Sequence, residues 1–427
     1  MEIHVVKPGD TIYSVAMEYR IPISQLITTN QLPAPSQLVV GQTLVILFPQ
    51  VTHTVKGNDT LFSIAAMHGI PVRQLLRNNP ELHGENRIFP GQVLVISYLQ
   101  ERQGTLSVNG YAYPHIDRGL LQRTLPYLSD LTPFTYGFTP MGALIAPQDQ
   151  SLVDAALQMG VRPLLHLSTL TEDGGFSNEL AHIALTDQTV QTRLIAQLLD
   201  TVRQRAYRGV DVDFEFVYAA DAQAYVRFIS RLRDALSPIG LPVIVALAPK
   251  LYADQPGALY EGHNYKLLGQ AADYVLLMTY EWGYTYGPPM AVAPIRNVRQ
   301  VLDYALSEIP AEKIYLGVPN YGYSWPLPYR PGTKAISISN QYAVELARKH
   351  YVAIRYDETA QSPWFRYVDE HGQEHEVWFE DARSIRAKLN LANERGLHGV
   401  GYWNLMRPFP QNWALLNSLY HIRDELE

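Results

Sequence analysis

The segment Gly209-Val210-Asp211-Val212-Asp213-Phe214-Glu215-Phe216-Val217 decides how this chain folds. On an extended strand, residues two apart share a face. Asp211, Asp213 and Glu215 therefore point one way, and Val210, Val212, Phe214 and Phe216 the other. If the apolar face packs on helices, the acidic face points into the interior of a barrel. Three carboxylates confined there cannot all ionise cheaply, so at least one is expected to hold its proton near neutral pH. A protonated carboxyl at the C-terminal end of a barrel strand is a general acid in waiting. Two other readings use the same residues. One is a buried structural ion cluster. The other is a Mg or Ca site, although side chains strung along one strand converge poorly on a single ion.

Seven further strand-like runs flank this one: 107–113, 133–138 and 162–167 before it, and 242–249, 274–282, 313–321 and 399–405 after it. Amphipathic helical stretches such as 191–205 and 222–236 lie between them. Eight strand–helix units over residues 105–427 predict an α/β fold, a (β/α)8 TIM barrel. A doubly wound open sheet is the alternative, but no Gly-rich phosphate turn follows an early strand. The seventh unit is too long. Between Trp325 and a helix near 384–394, the runs 354–356, 364–368 and 375–379 alternate in the β manner. Asp369-Glu370-His371-Gly372 reads as a hairpin turn between the last two. This predicts a small α+β insertion, residues 328–382, beside the barrel mouth, with Trp364, Tyr367 and Trp378 walling a cleft.

Other strand ends supply parts for the same site. Met278-Thr279-Tyr280-Glu281 closes strand six with Met278 and Tyr280 on one face, and Trp403 stands on the inward phase of strand eight. An aromatic ring there offers a floor for a sugar's C–H face, although one aromatic alone more often packs in a core. Asn320 and Tyr321 end strand seven and are expected to line the cleft. Tyr113 and Tyr136 end strands one and two, where lining and packing are equally open, and His166 reads as a packed histidine behind the site.

The first hundred residues hold an internal repeat. His4 to Ala16 matches His53 to Ala65, Asn30 matches Asn79, and Gly41 to Ile46 matches Gly91 to Ile96. Each copy reads β-α-α-β, residues 1–49 and 50–99, with Asp10 where a helix N-cap is wanted and Ser24 able to cap a second helix. Such a unit has little core of its own. Residues 1–98 carry six Lys or Arg and six Asp or Glu, so the chain's net charge of −7 belongs to the remainder.

Composition narrows the function. Hydrophobic residues make up 47% and charged residues 18%, as in a folded protein. There is no cysteine, which excludes disulfides, thiol nucleophiles and Cys-ligated zinc. The acidic balance, without a basic run, argues against nucleic acid. No run of 18 apolar residues predicts a membrane span, and Met1 to Asp10 lacks the pattern of an export signal. No cofactor and no metal are expected.

The repeat resembles the LysM module, which binds N-acetylglucosamine-containing glycans such as peptidoglycan and chitin. The resemblance implies sugar contacts at Gly9, Asp10, Thr11, Ile12, Val39 and Gly41 in the first copy. In the second it implies Asn58, Asp59, Thr60, Leu61, Phe89 and Gly91. Capping alone explains the two aspartates equally well. The Asp-x-Asp-x-Glu of strand four, the Met-x-Tyr of strand six and the Trp of strand eight resemble glycoside hydrolase family 18. With the two modules in front, the chain looks like the spore-cortex peptidoglycan hydrolases of endospore formers. These are N-acetylglucosaminidases acting in germination.

That resemblance implies roles. Glu215 is the general acid, Asp213 and Tyr280 orient the substrate's acetamido group, and Asp211 is counted with them as catalytic. Trp403 floors the subsite, with Met278, Glu281, Asn320 and Tyr113 around it. The expected partner is peptidoglycan, and the expected place is the spore, with synthesis in the mother cell. Three departures count against an ordinary chitinase: Arg208 replaces the first Asp of the family's long pattern, Glu281 stands where chitinases carry Asp, and His166-Leu167-Ser168-Thr169 replaces a Ser-x-Gly-Gly. A chitinase or endoglycosidase stays open as an alternative. A non-catalytic glycan-binding protein is disfavoured by the presence of Glu215.

Overall fold

The computed structural model describes residues 1–34, 37–171 and 174–426. Eight parallel strands build the barrel: Gly104–Ala112, Asp130–Pro133, a third strand in two pieces (Arg162–Pro163 and Leu165–Ser168), Val210–Asp213, Val243–Leu247, Tyr274–Leu277, Ile314–Pro319 and Gly399–Trp403. The break at Leu164 closes the sheet. Arg162–Pro163 pairs with strand two, and Leu165–Ser168 pairs with strand four. Alternation does the sorting expected of it. Val210, Val212 and Phe214 are buried among the surrounding helices, where Phe214 stacks on both Tyr225 and Phe228 at 5.6 Å.

Strand two lies earlier than the 133–138 expected. Asp130 forms part of the ladder because Arg162 pairs with it at 2.6 Å, so a residue that reads as turn chemistry is buried. Strands four and six stop at Asp213 and Leu277, short of the 217 and 282 expected. Beyond those points the chain leaves the ladder, and the groups left over face the barrel mouth.

Both N-terminal units have the β-α-α-β order. Glu2–Val5 pairs antiparallel with Thr43–Ile46, and Pro49–Thr54 with Val93–Tyr98. The first helices, Ile12–Tyr19 and Leu61–Met67, are capped by Thr11 and Thr60 in reciprocal capping boxes with Ser14 and Ser63, not by Asp10 or Asp59. Asp10 accepts the Lys7 backbone N–H at 2.6 Å and lies 3.0 Å from His4 Nε2. Asp59 repeats this with Lys56 at 2.8 Å and His53 at 2.9 Å. The second helix of the first unit, Ile23–Asn30, starts after Pro22 without a side-chain cap, so Ser24 lies inside it. The matched Asn30 and Asn79 share one purpose. Asn30 accepts from Val45 N–H and donates to the Leu26 and Val45 carbonyls, and Asn79 does the same with Val95 and Leu75.

These units are seated on the barrel's last helix, Pro410–Leu419. Gln411 donates to Thr43 O and Asn30 Oδ1, while Asn417 links Gln74 and Asn78. Val45 and Leu47 belong to the barrel's own core. The insertion is a five-stranded antiparallel sheet, ordered Ile336–Ile338, Gly322–Pro326, Glu374–Trp378, Ser362–Val368, Arg355–Asp357, with helix Asn340–Lys349 packed on it. Its sheet thus begins ahead of residue 328, because Gly322–Pro326 continues directly from barrel strand seven. Val39 of the first unit is buried in the insertion's core with Ile354 and Phe365. Among the described residues, no helix is long and apolar enough to cross a membrane.

Candidate active site

The site is built from strand ends. Asp211 and Asp213 lie on the last turn of the strand-four ladder, and both are buried. Tyr111 of strand one donates to Asp211 Oδ2 at 2.6 Å. Glu215 lies two residues past the ladder and is partly covered. The intervening residue fixes its place. The Phe214 ring is clamped outward by Tyr225 and Phe228, and its carbonyl lies 3.1 Å from His263 Nε2. The Ala248 N–H donates to His263 Nδ1, so Nε2 carries the proton and donates to Phe214.

Burial dominates the electrostatics. It lifts the Asp211 carboxyl to about 7, against the Tyr111 hydrogen bond that pulls it down. Burial, then the charges of Glu215 and Asp211, push Asp213 well above the ordinary carboxylate range. Burial, then the Glu281 charge, lifts Glu215 to about 7. The three acids therefore share fewer than three negative charges at neutral pH, as their crowding on one strand face requires. Asp211 Oδ1 and Asp213 Oδ1 are buried without a hydrogen-bond partner. An orphaned acceptor of this kind is costly unless a ligand or proton satisfies it.

Aromatic rings make the floor. Phe134 and Trp403 meet edge to face at 4.9 Å, with Tyr111 at 5.8 Å and Tyr113 at 6.1 Å from the Trp403 ring. Tyr113, Glu281, Tyr321, Tyr323, Trp403 and Arg407 line an open cleft of about 480 Å3 above it. Tyr280 stands beside the acids, and burial with the nearby Asp213 and Glu215 charges keeps its hydroxyl protonated. Met278, half-buried, packs on the same Tyr111, Leu276 and Tyr315 cluster as Trp403.

Several expectations are corrected. Asn320 is buried rather than lining the cleft, and its amide donates to the Asn404 and Arg407 carbonyls at 2.8 Å each. Tyr136 is core. Trp364 stacks on Trp378 at 5.6 Å, and Tyr367 is buried inside the insertion. The insertion's cleft residues are instead Tyr323 and Ser337. With Tyr321, Tyr323 hydrogen-bonds the Glu281 carboxylate. His166 is buried, as expected, and stands directly behind Asp213. Its Nε2 lies 3.8 Å from Asp213 Oδ2 and its Nδ1 2.6 Å from Thr135 Oγ1. Burial drops its pKa to about 3, so it is neutral beside Asp213. Neither Thr135 nor His263 carried a sequence signal, because their partners are backbone atoms or residues remote in sequence. In the modules, residues 9–11 and 58–60 form the loops before the first helices, and Leu61, expected to face glycan, is buried because it opens its helix on the face that packs with Ile64 and Ala65. Val39 and Gly41 are packed on the insertion, whereas Phe89 is 56% exposed and no atom stands over Gly91. Among the described residues, no group of His, Asp and Glu side chains is arranged to hold a metal ion.

A proton-bearing carboxyl joined through Glu281 to a ring-floored cleft, at the C-terminal mouth of a (β/α)8 barrel, belongs to enzymes that cleave glycosidic bonds, and this chain is a glycoside hydrolase. It is a member of the glycosyl hydrolases family 18, whose model matches residues 123–407, and it carries two LysM domains, matched at residues 4–47 and 53–97. It is 42% identical over 429 residues to the cortical fragment-lytic enzyme of Bacillus subtilis (strain 168), with 99% of each chain covered. The spore cortex-lytic enzyme SleL of Bacillus megaterium QM B1551 is similar at TM-score 0.84 and 39% identity, over 99% of both chains. A chitinase from Chromobacterium violaceum ATCC 12472 matches 73% of this chain and 98% of its own, with 28% identity and TM-score 0.68.

Proposed function

We propose that this enzyme is an N-acetylglucosaminidase that cleaves spore cortex peptidoglycan or its fragments during germination, with retention of configuration. The observation that carries the reading is the pairing of Asp213 and Glu215 on one strand end beside the Tyr280 hydroxyl, with burial and the Glu281 charge lifting Glu215 to about 7 so that it holds a proton, while the positive oxazolinium favours the ionised form of Asp213. Glu215 protonates the glycosidic oxygen as the C1–O bond breaks. The substrate's acetamido oxygen attacks C1 and forms an oxazolinium, whose N–H donates to Asp213 and whose positive charge that carboxylate offsets. Tyr280 holds the acetamido group in line for attack. Water then adds at C1, gives its proton to the Glu215 carboxylate, and opens the ring to the β product.

The full-length relatives named for cortex lysis support the substrate class. The LysM loops at Asp10, Thr11 and Ile12 and at Asp59 and Thr60 would hold the enzyme on glycan. The placement follows: action at the spore cortex, after synthesis in the mother cell. Secretion from vegetative cells through a cleaved leader would contradict it.

Digestion of cortex peptidoglycan and of chitin oligomers in parallel, with product masses, tests the substrate. Products ending in N-acetylglucosamine from cortex alone are expected, and cleavage of chitin alone would favour the chitinase reading. Efficient cleavage of de-N-acetylated glycan, or an α first product by NMR, would overturn the mechanism.

A further inference from the structure

The two modules are alike in fold and unlike in surroundings. In the second, the late-loop residues expected to face glycan stand free, although Leu61 is buried: Phe89 is exposed and Gly91 has no neighbour. In the first, the matching loop is pressed onto the insertion. A Cβ at Gly41 would overlap the Ile354 carbonyl, the Ile354 N–H donates to Val40 O at 2.9 Å, and Val39 is buried beside Ile354. The other side of the loop is not sealed. Pro8, Leu38 and Val40 form one wall of a groove of about 970 Å3 whose opposite wall is the insertion's Tyr342, Arg348 and Tyr351. That is twice the cleft over Trp403 and at the upper end of small-ligand sites.

Tyr351 is the telling residue. It follows the helix Asn340–Lys349 in left-handed backbone conformation, φ 53°, where glycine is favoured, and its side chain is 97% exposed. The fold makes no use of that ring, so a strained position holding an exposed aromatic points to a ligand. Tyr342, 46% exposed, presents a second ring from the same helix. The charges alongside are answered locally. Arg348 donates to Gln37 at 2.7 Å and contacts Glu345, and Lys349 pairs with Glu370 at 2.7 Å. Exposed rings without unbalanced charge suit the C–H faces of an uncharged sugar chain rather than a polyanion.

We propose that the first LysM domain and the insertion form one composite glycan site, separate from the catalytic cleft. Its ligand is a β-linked N-acetylglucosamine chain longer than the module loop alone would hold. The proposal rests on the reading that these modules bind glycan.

The test uses the full chain carrying Glu215→Gln, so that nothing is cleaved, and hexameric N-acetylglucosamine as probe. Titration calorimetry gives affinity, and hydrogen exchange read by mass spectrometry gives location. Hexamer should protect segment 340–353 and segment 37–42. Tyr342→Ala with Tyr351→Gly should weaken this class of site roughly three- to tenfold, the size of lost ring contacts, and cut that protection at subsaturating hexamer. Tyr351→Gly places glycine where glycine is favoured, so thermal stability should hold or rise while binding falls. Unchanged affinity, or saturation without protection of 340–353, would overturn the composite site while leaving the glycan reading intact. Absence of any hexamer binding by the parent would remove both. Loss of a dimer in sedimentation, in place of lost sugar binding, would assign the rings to self-association and overturn the proposal.

Discussion

At the scale of the residue, burial both arms Glu215 and makes it a liability. Its pKa rises from the ordinary 4.5 to about 7, chiefly because burial disfavours the charged form. A carboxyl whose folded value exceeds its unfolded value costs nothing below the unfolded value. The cost grows between the two values and is constant above the folded one. Glu215→Gln removes it. The variant should lose turnover, yet by calorimetry it should melt higher than the parent at pH 8 and together with it at pH 4. The gain at pH 8 is on the order of 1–3 kcal/mol. A gain equal at both values would mean that charge is not its cause. Glu281 supplies the second contribution to the Glu215 shift, through its own negative charge. Glu281→Gln should therefore lower the Glu215 pKa and move the alkaline limb of the kcat/KM profile to lower pH, since the acid must be protonated to act. A limb that stays put would separate Glu281 from the acid. Asp213 and Glu215 were legible in the sequence because period-two alternation is a local property. The nearness of His166 to Asp213 was not, because it depends on the register of two strands whose paired residues lie 45 positions apart.

Elements carry the next layer. The barrel ladder ends at Asp213 and Leu277, and the sequence placed both ends too late, because Phe216 and Tyr280 are as strand-like in type as the residues before them. The repeat was legible down to the matched asparagines, but not what they bond. Their partners are backbone groups of a strand sixteen residues away or nearly so. Capping was read one residue early for a similar reason. Asp10 is a good cap by type, yet its carboxylate is already held by Lys7 N–H and His4, which leaves the cap to Thr11. Asn79→Ala deletes three hydrogen bonds, one buried and two partly buried, and leaves Val95 N–H without its side-chain acceptor. It should cost about 2–3 kcal/mol. Exchange protection should fall in 72–98 first, while the barrel amides keep theirs. Uniform loss across the chain would show that the second module unfolds only with the barrel.

At the scale of the molecule, the modules are built into the catalytic body. Charge counting and repeat detection describe a module alone, and nothing in them shows that Val45 and Leu47 complete the barrel's core or that Gln411 and Asn417 reach back to both modules. These contacts join residues more than 300 positions apart, and many are polar groups that read as surface. Removal of residues 1–98 therefore does more than detach an anchor. It uncovers apolar side chains around Pro410–Leu419 and strips Arg77 from the Pro126 carbonyl and Gln74 from Asn417. The truncated barrel should melt several degrees lower than the full chain, given that a few buried apolar side chains at about 1.5–3 kcal/mol each lose their cover. Its activity should fall on soluble muropeptides as well as on insoluble sacculi. Phe89→Ala offers the contrast. It removes an exposed ring of the second module, leaves the docking surface untouched, and should weaken only sedimentation with sacculi. Unchanged melting and unchanged turnover of soluble fragments by the truncated barrel would show that the docked arrangement contributes nothing to the catalytic body and that the modules serve as detachable anchors.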